Sequence, residues 1–353
     1  MRVIAYYLPQ YHAIPENDAW WGKDFTEWNR VRAAKPFFKG HPQPIVPGEL
    51  GYYNLLDPAV RERQAQLARE AGIEGFCYWH YWFDGKQLLE QPLQQVLESG
   101  KPDFQFCIAW ANESWYAKTW HDTQQDRLLI EQTYSEQDDR AHFEAILPIL
   151  RDKRYIQVDD KPLLVIYRPL DLPNGKAWVE RWQQMARNAG LNGLFLVGHV
   201  TYTKQVDAVL NLGFDAVNIV PLGDAKRDIR SALRHLPNFF LHLCGKAPLV
   251  YDYTEAMRAF EAPVMGREEV IPTILPNWDH SPRSGVRAFI MRNATPETFR
   301  KHVQAIHAIV AKKNNPLVLL KSWNEWSEGN YMEPDVRWNR QYIDVLKDEN
   351  SLG

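Results

Sequence analysis

Two carboxylates near the carboxyl end of the chain have the types and spacing that acid–base chemistry on a sugar needs. Glu325 and Glu328 stand three residues apart, after the apolar run 316–320, and Trp323 and Trp326 flank them. Cleavage of a glycosidic bond takes two carboxyl groups close together, one protonated and one ionised. A turn after a strand can bring such acids together, and an apolar wall would raise the pKa of Glu328. The alternative is a pair of acids at a helix start, where they favour the helix dipole.

Most tryptophans fall where a barrel enzyme places its substrate contacts. Eleven of the 14 Trp residues lie at the carboxyl ends of predicted strands or in the loops after them, and the other three lie on predicted helices. The eleven are Trp20, Trp21, Trp28, Trp79, Trp82, Trp110, Trp115, Trp120, Trp278, Trp323 and Trp326. Interleaved polar residues are His80, Asn112, Glu113, His121, Asp122, Asp279, His280, Arg283 and Asn324. Sugar rings bind to flat apolar faces with polar groups at their edges, so we expect a carbohydrate cleft rather than thickly packed aromatic structure.

Within this pattern we expect one set of residues to contact the substrate. They are Tyr6, Tyr7, Glu27, Trp28, Trp79, His80, Trp82, Trp110, Asn112, Glu113, Trp115, Trp278, Asp279, Trp323, Asn324 and Trp326. For several of these residues, the alternative is a purely structural role. Tyr6 and Tyr7 alternate on one strand, so at most one of them faces the cleft. His80 could instead be a satisfied core histidine, and Glu27 could fasten its loop. We expect Glu333 to fasten a loop as well.

The order of predicted elements supports a (β/α)8 barrel. Apolar, β-branched or aromatic runs predict strands at 2–8, 73–83, 104–110, 163–168, 194–200, 215–220, 270–276 and 316–323. Amphipathic stretches predict helices at 58–71, 87–99, 137–151, 175–189, 204–212, 224–236, 296–313 and 338–347. Eight alternations without a hairpin signal favour a closed parallel barrel. An open doubly wound sheet is the second possibility, but the chain has neither of the glycine-rich nucleotide-binding motifs.

We expect one domain over residues 1–353, because the sequence shows no linker, low-complexity stretch or internal repeat. Two connections are long: residues 9–57 follow the first strand, and 221–269 follow the sixth. Loops of that length in a compact domain are usually functional. In a barrel both would lie on the carboxyl-terminal face, where active sites are built.

Composition excludes several classes of partner. The 353 residues include 41 Lys and Arg against 44 Asp and Glu, a formal net charge of −3 without a basic run. This balance argues against nucleic-acid and anionic-membrane binding. No apolar run approaches the roughly 18 residues of a membrane span. We expect no signal peptide, because neither a basic n-region nor an apolar h-region precedes the first predicted strand. We therefore expect a soluble cytoplasmic protein, with the oligomeric state left open.

Neither the histidines nor the cysteines form a recognisable ligand set. The 11 His residues form no H-E-x-x-H or other ligand pair, and Cys77, Cys107 and Cys244 lie far apart. We expect reduced cysteines, no metal and no other cofactor. The predicted partner is a carbohydrate substrate.

The motif 323–329 and the following Met332-Glu333-Pro334-Asp335 resemble the signature of family-99-like glycoside hydrolases. The chain looks closest to the WbsX branch, found among bacterial polysaccharide biosynthesis proteins and often labelled glycosyltransferase. Further matching blocks, in order along nearly the whole chain, are 6–12, 25–28 with 34–36, 47–53, 75–83 and 110–115. The mannosidase subsite loops do not align obviously, and 221–269 belongs to this chain alone.

The resemblance implies a metal-free (β/α)8 barrel and an endo-α-mannosidase-like reaction that retains anomeric configuration. It also implies that Glu325 acts as base on the substrate 2-hydroxyl and that Glu328 is the general acid/base. The favoured function is thus a retaining glycoside hydrolase acting on a bacterial polysaccharide or oligosaccharide. The alternatives are a WbsX-type glycosyltransferase, although the chain lacks Asp-x-Asp, and a sugar-binding module with a dead site.

Overall fold

Eight parallel strand positions form a closed barrel in the computed structural model of the chain, which describes residues 1–117, 127–227 and 236–351. The strands are β1 (Arg2–Tyr7), β2 (Gly75–Phe83), β3 (Gln105–Trp110), β4 (Lys161–Ile166), β5 (Phe195–Val200), β6 (Ala216–Ile219), β7 (Val270–Ile271 with Thr273–Ile274) and β8 (Leu317–Leu320). Each strand pairs in parallel with the next, and β8 also pairs with β1. The predicted (β/α)8 barrel is confirmed, and the closure of β8 on β1 excludes the open doubly wound sheet.

The barrel closes across a break in β7. Val270–Ile271 pairs with β6, whereas Thr273–Ile274 pairs with β8. The break lies at Pro272, which has no N–H to donate to a ladder. Its carbonyl still accepts a hydrogen bond from Leu319 N at 3.1 Å. One interrupted strand therefore joins both of its neighbours.

The strand predictions agree closely with the structure. All eight strands begin within two residues of their predicted starts. Their residues are buried on both faces, which is why near-continuous apolar runs identified them. The predicted strand 316–323 ends early, at Leu320, because the chain then turns into a two-stranded ladder of Asn324–Glu325 with Asn330–Tyr331.

Helices surround the barrel between and after the strands. They are Pro58–Glu70, Gln91–Ser99, Glu136–Leu150, Gly175–Asn188, Val206–Leu210, Pro296–Val310 and Gln341–Ser351. Of the predicted helix 224–236, residues 228–235 lie outside the described ranges, and a helix Leu222–Arg227 precedes them. The other predicted helices are confirmed with shifted ends, apart from the start of 87–99.

The prediction of a helix from residue 87 is wrong at its start. Lys86–Leu88 is a short strand that pairs antiparallel with the end of β2. The turn between them consists of Asp84 and Gly85, with φ values of 46° and 82°. Asp-Gly is a strong signal for a two-residue hairpin turn, because both central residues take positive φ. The expectation of an alternation without hairpins missed this signal.

Both long connections contain regular structure. Residues 9–57 form helices Pro15–Trp21 and Glu27–Ala33, and residues 221–269 include helices Leu222–Arg227, Leu236–Leu243 and Tyr253–Phe260. A strand of the second connection, Leu249–Asp252, pairs with Phe289–Arg292, which in turn pairs with Trp278–Asp279. Trp120, His121 and Asp122, which the sequence pattern assigned to the carbohydrate cleft, lie outside the described residues. Short strands elsewhere are Trp115–Ala117, Arg127–Ile130 and Gln157–Val158.

Two further sequence expectations concern membranes and cysteines. No helix within the described ranges has both the length and the apolar character to cross a membrane. The three cysteines are free thiols: Cys77 and Cys107 are buried in the barrel, and Cys244 is exposed.

Candidate active site

A cleft of about 920 Å³ opens among the residues that follow the strands at one end of the barrel. Its lining includes Glu325 and Glu328 after β8, aromatic side chains from several strands and their loops, and parts of both long connections. The main lining residues are Gln10, Trp20, Trp21, Glu27, Arg30, Trp79, Tyr81, Asn112, Glu113, Trp115, Tyr167, Arg168, His199, Lys226, Trp278, His280, Arg283, Lys321, Glu325 and Glu328. The cleft is therefore polar at its floor and aromatic on its walls.

A tight turn brings the two carboxylates of the motif to the same side. Residues Trp326–Glu328 form a single 3-10 turn between the two short strands of the ladder after β8. Gly329 ends the turn with a φ of +54°, a left-handed conformation that favours glycine. A Cβ at Gly329 would lie 2.8 Å from both the backbone N and O of Asp279. Glycine is required here both for its conformation and for the close approach of the neighbouring strand.

Asn324 fastens this turn to the end of β1. Its Oδ1 accepts a hydrogen bond from Leu8 N at 2.7 Å, and its Nδ2 donates to Leu8 O at 3.0 Å. Tyr11 adds a second tie, because its hydroxyl donates to Asn324 O at 2.5 Å and accepts from Trp326 N at 3.1 Å. The backbone that carries both carboxylates is thus held from the first strand of the barrel.

One guanidinium contacts three carboxylates of the cleft floor. Arg283 Nη1 lies 2.6 Å from Glu328 Oε1 and 3.5 Å from Glu325 Oε1. Arg283 Nη2 lies 3.2 Å from Glu27 Oε2, which also accepts a hydrogen bond from Ser327 Oγ. All three carboxylates are buried, so they depend on this positive charge to remain ionised side by side.

A second cation and an imidazole complete the floor. Lys321 Nζ lies 3.3 Å from Glu325 Oε2 and 3.9 Å from Glu328 Oε2. His280 Nε2 lies 3.3 Å from Glu328 Oε1, and the His280 ring stacks on Trp278. Glu328 therefore faces three groups that favour its charged form.

These contacts shift the pKa values of Glu325 and Glu328 in opposite directions. Burial and the negative charge of Glu328 raise the pKa of Glu325, against the attraction of Lys321 and Arg283. Burial also disfavours the charged form of Glu328, but Arg283, His280 and Lys321 outweigh it and hold the pKa of Glu328 well below its usual range. The prediction that an apolar wall raises the pKa of Glu328 is wrong, because the wall nearest its carboxylate is cationic.

The shared guanidinium also limits the separation of the two carboxyl groups. Both Oε1 atoms contact the same Nη1 atom, at 3.5 Å and 2.6 Å, which add up to 6.1 Å. These two oxygens therefore lie no more than 6.1 Å apart. Arg283 thus keeps the two carboxyl groups close together on the cleft floor.

Eight predicted site residues line the cleft: Glu27, Trp79, Asn112, Glu113, Trp115, Trp278, Glu325 and Glu328. Asn112 is also a loop anchor, since its Oδ1 accepts from Arg168 N at 2.7 Å and its Nδ2 donates to Arg168 O at 3.0 Å. Glu113 forms an ion pair with the Arg168 guanidinium at 3.0 Å. Contact of these eight residues with a substrate stays a prediction.

Ten predicted site residues do not line the cleft: Tyr6, Tyr7, Trp28, His80, Trp82, Trp110, Asp279, Trp323, Asn324 and Trp326. Three of them face helix Glu136–Leu150 instead. His80 Nε2 lies 2.9 Å from His142 Nε2, and Trp82 Nε1 donates to Asp138 at 2.8 Å. Trp110 packs edge-on against His142. The structure places these three residues in core contacts.

The two tyrosines of β1 are also structural. Tyr6 donates to Asn218 Oδ1 at 3.0 Å inside the barrel, and its ring stacks under Trp79 with centroids 4.7 Å apart. Tyr7 points outward and donates to Gln64 on helix Pro58–Glu70 at 2.7 Å. Tyr6 thus supports a cleft residue, and neither tyrosine reaches the cleft surface.

The other predicted residues outside the cleft lining hold the loops in place. Asp279 accepts from Gln43 Nε2 at 2.6 Å and lies 2.7 Å from His41 Nε2, so it ties the first long connection to the strand after β7. Trp28 Nε1 donates to Tyr53 O at 2.7 Å, and Trp323 is fully buried against Phe76. Trp326 stacks on Tyr331 with centroids 3.9 Å apart.

Several cleft residues were absent from the predicted set. Arg283 and Lys321 carry the positive charge of the floor, and Tyr81, Tyr167 and His199 line the wall. Tyr81 could have been found, because it is two residues from Trp79 on β2 and so shares its face. In the described ranges, no group of three or more His, Cys, Asp and Glu side chains could hold a metal ion.

Comparison with known proteins assigns the family. A family model described as "Glycosyltransferase WbsX" matches residues 3–346. The chain belongs to the WbsX family. A relative from Xanthomonas campestris pv. campestris (strain B100), named "Uncharacterized protein WxcX", is 36% identical over 350 residues, covering 98% of this chain and 49% of the relative. The WxcX protein of a second strain of X. campestris pv. campestris (ATCC 33913) is also 36% identical. The chain thus spans about half the length of these curated relatives.

Solved structures share the fold of this WbsX-family chain. A GH99 endo-α-mannosidase from Bacteroides thetaiotaomicron, in complex with bis-tris propane, superimposes with a TM-score of 0.62 at 14% identity, covering 99% of this chain and 97% of the other. A protein described as "Glycoside hydrolase-like protein" gives a TM-score of 0.58 at 18% identity, covering 99% and 93%. The predicted likeness to family-99-like glycoside hydrolases of the WbsX branch is confirmed.

Glu333 is a further buried carboxyl group, and it lies beneath the turn Trp326–Glu328. Its Oε2 accepts hydrogen bonds from Trp326 Nε1 at 2.6 Å and Tyr53 Oη at 2.8 Å, and its Oε1 accepts from Gln64 Nε2 at 2.6 Å. Burial raises the pKa of Glu333 to about 7, although all of these donors oppose the rise. Glu333 joins the first long connection, helix Pro58–Glu70 and the motif, as expected of a loop fastener.

Replacing Glu333 with Gln removes this titrating group and keeps its size. The pKa of Glu333 rises from 4.5 to about 7 in the fold, so its contribution to stability is fully present below pH 4.5 and is lost as the pH rises through about 7. From about pH 4 to about pH 8, we expect the free energy of unfolding of the wild type to fall by about 3 kcal/mol relative to Glu333→Gln. Urea unfolding of both proteins at both pH values measures this difference.

The matched control is Glu297→Gln, which changes an exposed carboxylate on helix Pro296–Val310. This control should show no comparable shift between the two pH values. A difference between wild type and Glu333→Gln that stays constant with pH would contradict the role of burial at Glu333.

Proposed function

We propose that this WbsX-family protein is a retaining glycoside hydrolase that acts on a bacterial polysaccharide or oligosaccharide in an endo-α-mannosidase-like manner. The observation that carries the proposal is the meeting of Glu325 and Glu328 on Arg283 at the floor of the cleft. Two buried carboxyl groups of unequal proton affinity that share one guanidinium support acid–base cleavage of a glycosidic bond. Trp79, Trp115 and Trp278 supply aromatic faces on which sugar rings can stack.

Glu325 suits the base that takes a proton from the substrate 2-hydroxyl. Its raised pKa brings its proton affinity closer to neutral pH, where a general base works best. Lys321, at 3.3 Å, stays beside the carboxyl group and can stabilise the charge that the 2-oxygen develops. The 2-oxygen would then displace the leaving group and form a 1,2-anhydro sugar.

Glu328 would protonate the leaving-group oxygen in this scheme. In the substrate-free site Arg283 keeps it ionised, so it must lose that contact before it can carry a proton. We propose that sugar hydroxyls entering the cleft take the place of Glu328 on Arg283. In the second stage Glu328 would take a proton from water, and Glu325 would return one to the 2-oxygen.

The scheme needs no cofactor, and we propose that residues 1–353 act as one catalytic domain. The second candidate is a glycosyltransferase of polysaccharide biosynthesis, which the description of the family favours. A transferase would use a nucleotide- or lipid-linked sugar as the donor, and a hydroxyl of the acceptor would take the place of water. The two functions therefore differ in what must be added for turnover.

The function is tested with purified protein and a panel of bacterial polysaccharides rich in α-mannosides. We expect reducing ends to be released without any nucleotide sugar and in excess chelator. Proton NMR of the first-formed product should show the anomeric configuration of the substrate. Turnover only with a nucleotide sugar, or its loss on chelation and recovery with a divalent ion, would support the transferase instead. An inverted product would contradict the mechanism.

Two variants separate the roles of the carboxylates. Glu325→Gln and Glu328→Gln should each lower turnover of a natural substrate at least about 10²-fold, because each removes a proton transfer. An aryl glycoside with a dinitrophenolate leaving group needs no protonation, so Glu328→Gln should release the first equivalent of dinitrophenolate at close to the wild-type rate, while its steady turnover stays slow because the second stage still lacks its base. Glu325→Gln should stay slow, because the 2-hydroxyl still needs its base.

Glu333→Gln is the control for these variants, since it changes a buried carboxyl group under the same turn and should cost less activity. Circular dichroism would show that all three variants keep the fold. A fast first release by Glu325→Gln rather than by Glu328→Gln on the aryl glycoside would reverse the two assignments. Near-wild-type turnover by either variant on a natural substrate would remove that residue from the mechanism.

A further inference from the structure

A histidine in the cleft wall is held by a polar network inside the barrel. His199 lies on β5 and lines the cleft, although it is only 4% exposed. Its Nδ1 lies 3.1 Å from Asn218 Oδ1 on the neighbouring β6 and 3.4 Å from Tyr6 Oη on β1. The side chain is therefore fixed from within the barrel.

The amide group of Asn218 can take only one orientation. Its Nδ2 donates to Ile271 O at 3.0 Å and to Thr273 Oγ1 at 2.9 Å. A backbone carbonyl only accepts hydrogen bonds, so the atom that faces Ile271 O must be the amide nitrogen. The amide oxygen then faces His199, and it also accepts a hydrogen bond from Tyr6 Oη at 3.0 Å.

This amide oxygen determines the tautomer of His199. An amide oxygen cannot donate, so His199 Nδ1 must carry the hydrogen that joins the two atoms. Burial and the positive charges of Lys321 and Arg168 lower the pKa of His199 to about 3, although the hydrogen bond with Asn218 opposes this change. The imidazole is therefore neutral near pH 7, and Nε2 keeps its lone pair.

The second ring nitrogen, Nε2, is accessible from the cleft. In the described part of the chain, both polar contacts of His199 are made by Nδ1. Nε2 is also not one of the unpaired polar atoms that these residues enclose. Since His199 lines the cleft, a ligand in the cleft can reach this lone pair.

Aromatic rings beside His199 form a wall against which a sugar ring can pack. The centroids of the Tyr167 and His199 rings lie 5.0 Å apart, and Tyr167 packs edge-on against Trp79 at 5.3 Å. Burial raises the pKa of Tyr167, and the charges of Glu328 and Glu325 add to the rise. This wall therefore lies close enough to both carboxylates to sense their charge.

We propose that His199 Nε2 accepts a hydrogen bond from one sugar hydroxyl and so selects substrates in which this hydroxyl is unsubstituted. For the class of ligand, this inference rests on the proposed function. A deoxy sugar would leave the lone pair without a partner, and an acylated or methylated hydroxyl would have no hydrogen to donate. A carboxylate would offer only acceptors at this position. Tyr6 and Asn218 are positioning residues, because they keep the hydrogen of His199 on Nδ1.

Nitrogen-15 NMR of the full chain tests the tautomer without any ligand. The His199 signals are assigned by their loss in His199→Phe, and we expect hydrogen on Nδ1 and none on Nε2 from about pH 5 to about pH 8. Asn218→Leu removes the acceptor and should give a mixture of both tautomers. Hydrogen on Nε2 of the wild type would overturn the proposal.

The matched control is Thr273→Val, which removes one partner of Asn218 Nδ2 but leaves Ile271 O to orient the amide. Thr273→Val should keep the wild-type tautomer of His199. An unchanged tautomer in folded Asn218→Leu would overturn the positioning role of Asn218.

Recognition of the hydroxyl is tested with methyl α-D-mannopyranoside and its monodeoxy analogues, with affinities followed through the tryptophan indole signals. We expect the parent sugar to shift the Nε2 signal, and one analogue to bind at least about tenfold more weakly than the parent. His199→Phe should bind this analogue and the parent equally. Equal binding of all the sugars to the wild type, or an Nε2 signal that none of them shifts, would overturn the proposal. No turnover is measured, so an Nε2 shift in a protein that fails to release reducing ends would contradict the proposed function alone.

Discussion

The arrangement of the cleft floor depends on the ion pairs of Arg283 with Glu27, Glu325 and Glu328. Three carboxylates buried side by side repel one another and lose hydration, so each would tend to take up a proton without a shared positive charge. Arg283 contacts all three, at 3.2 Å, 3.5 Å and 2.6 Å. Glu27 lies in the first long connection, whereas Glu325 and Glu328 lie on the turn after β8, so Arg283 links these two parts of the chain.

The unequal contacts of Arg283 explain how two identical side chains can have different chemistry. Glu328 has the short contact and also faces His280, so its charged form is favoured. Glu325 has the longer contact and experiences the charge of Glu328, so its pKa rises. The buried network beneath them, from Asn324 to Leu8 and from Glu333 to Trp326, holds the turn in position. Catalytic carboxyl groups need such support, because small displacements change their interaction strongly.

The barrel was predictable because each of its strands is buried on both faces and reads as an apolar run. The position of the turn that carries Glu325 and Glu328 followed from the same reasoning, since both residues come directly after the last run. It was harder to predict from the sequence which side of its strand each aromatic side chain occupies. Trp79 and Tyr81 line the cleft, while His80 and Trp82 between and after them contact helix Glu136–Leu150. Alternation along β2 separates these two pairs, but the sequence does not say which pair faces the cleft.

Contacts between residues that are far apart in the sequence could not be predicted either. Arg283 is 42 residues from Glu325 and 256 from Glu27, and no local pattern links them. Asp279 looked like a substrate contact because it follows β7, yet its carboxylate is occupied by His41 and Gln43 of the first long connection. The environment of Glu328 was misjudged for the same reason, since its flanking tryptophans are near in sequence and its cationic partners are mostly distant.

The most direct test of this account is the titration of the two carboxyl groups in the substrate-free protein. Carbon-13 NMR of Glu side chains, with signals assigned through Glu325→Gln and Glu328→Gln, reports each proton uptake separately. Because Arg283 contacts the pair unequally, we expect Glu325 to take up its proton at a higher pH than Glu328, with Glu328 still ionised when Glu325 is protonated. Protonation of Glu328 before Glu325 as the pH falls would contradict the division of the pair by Arg283.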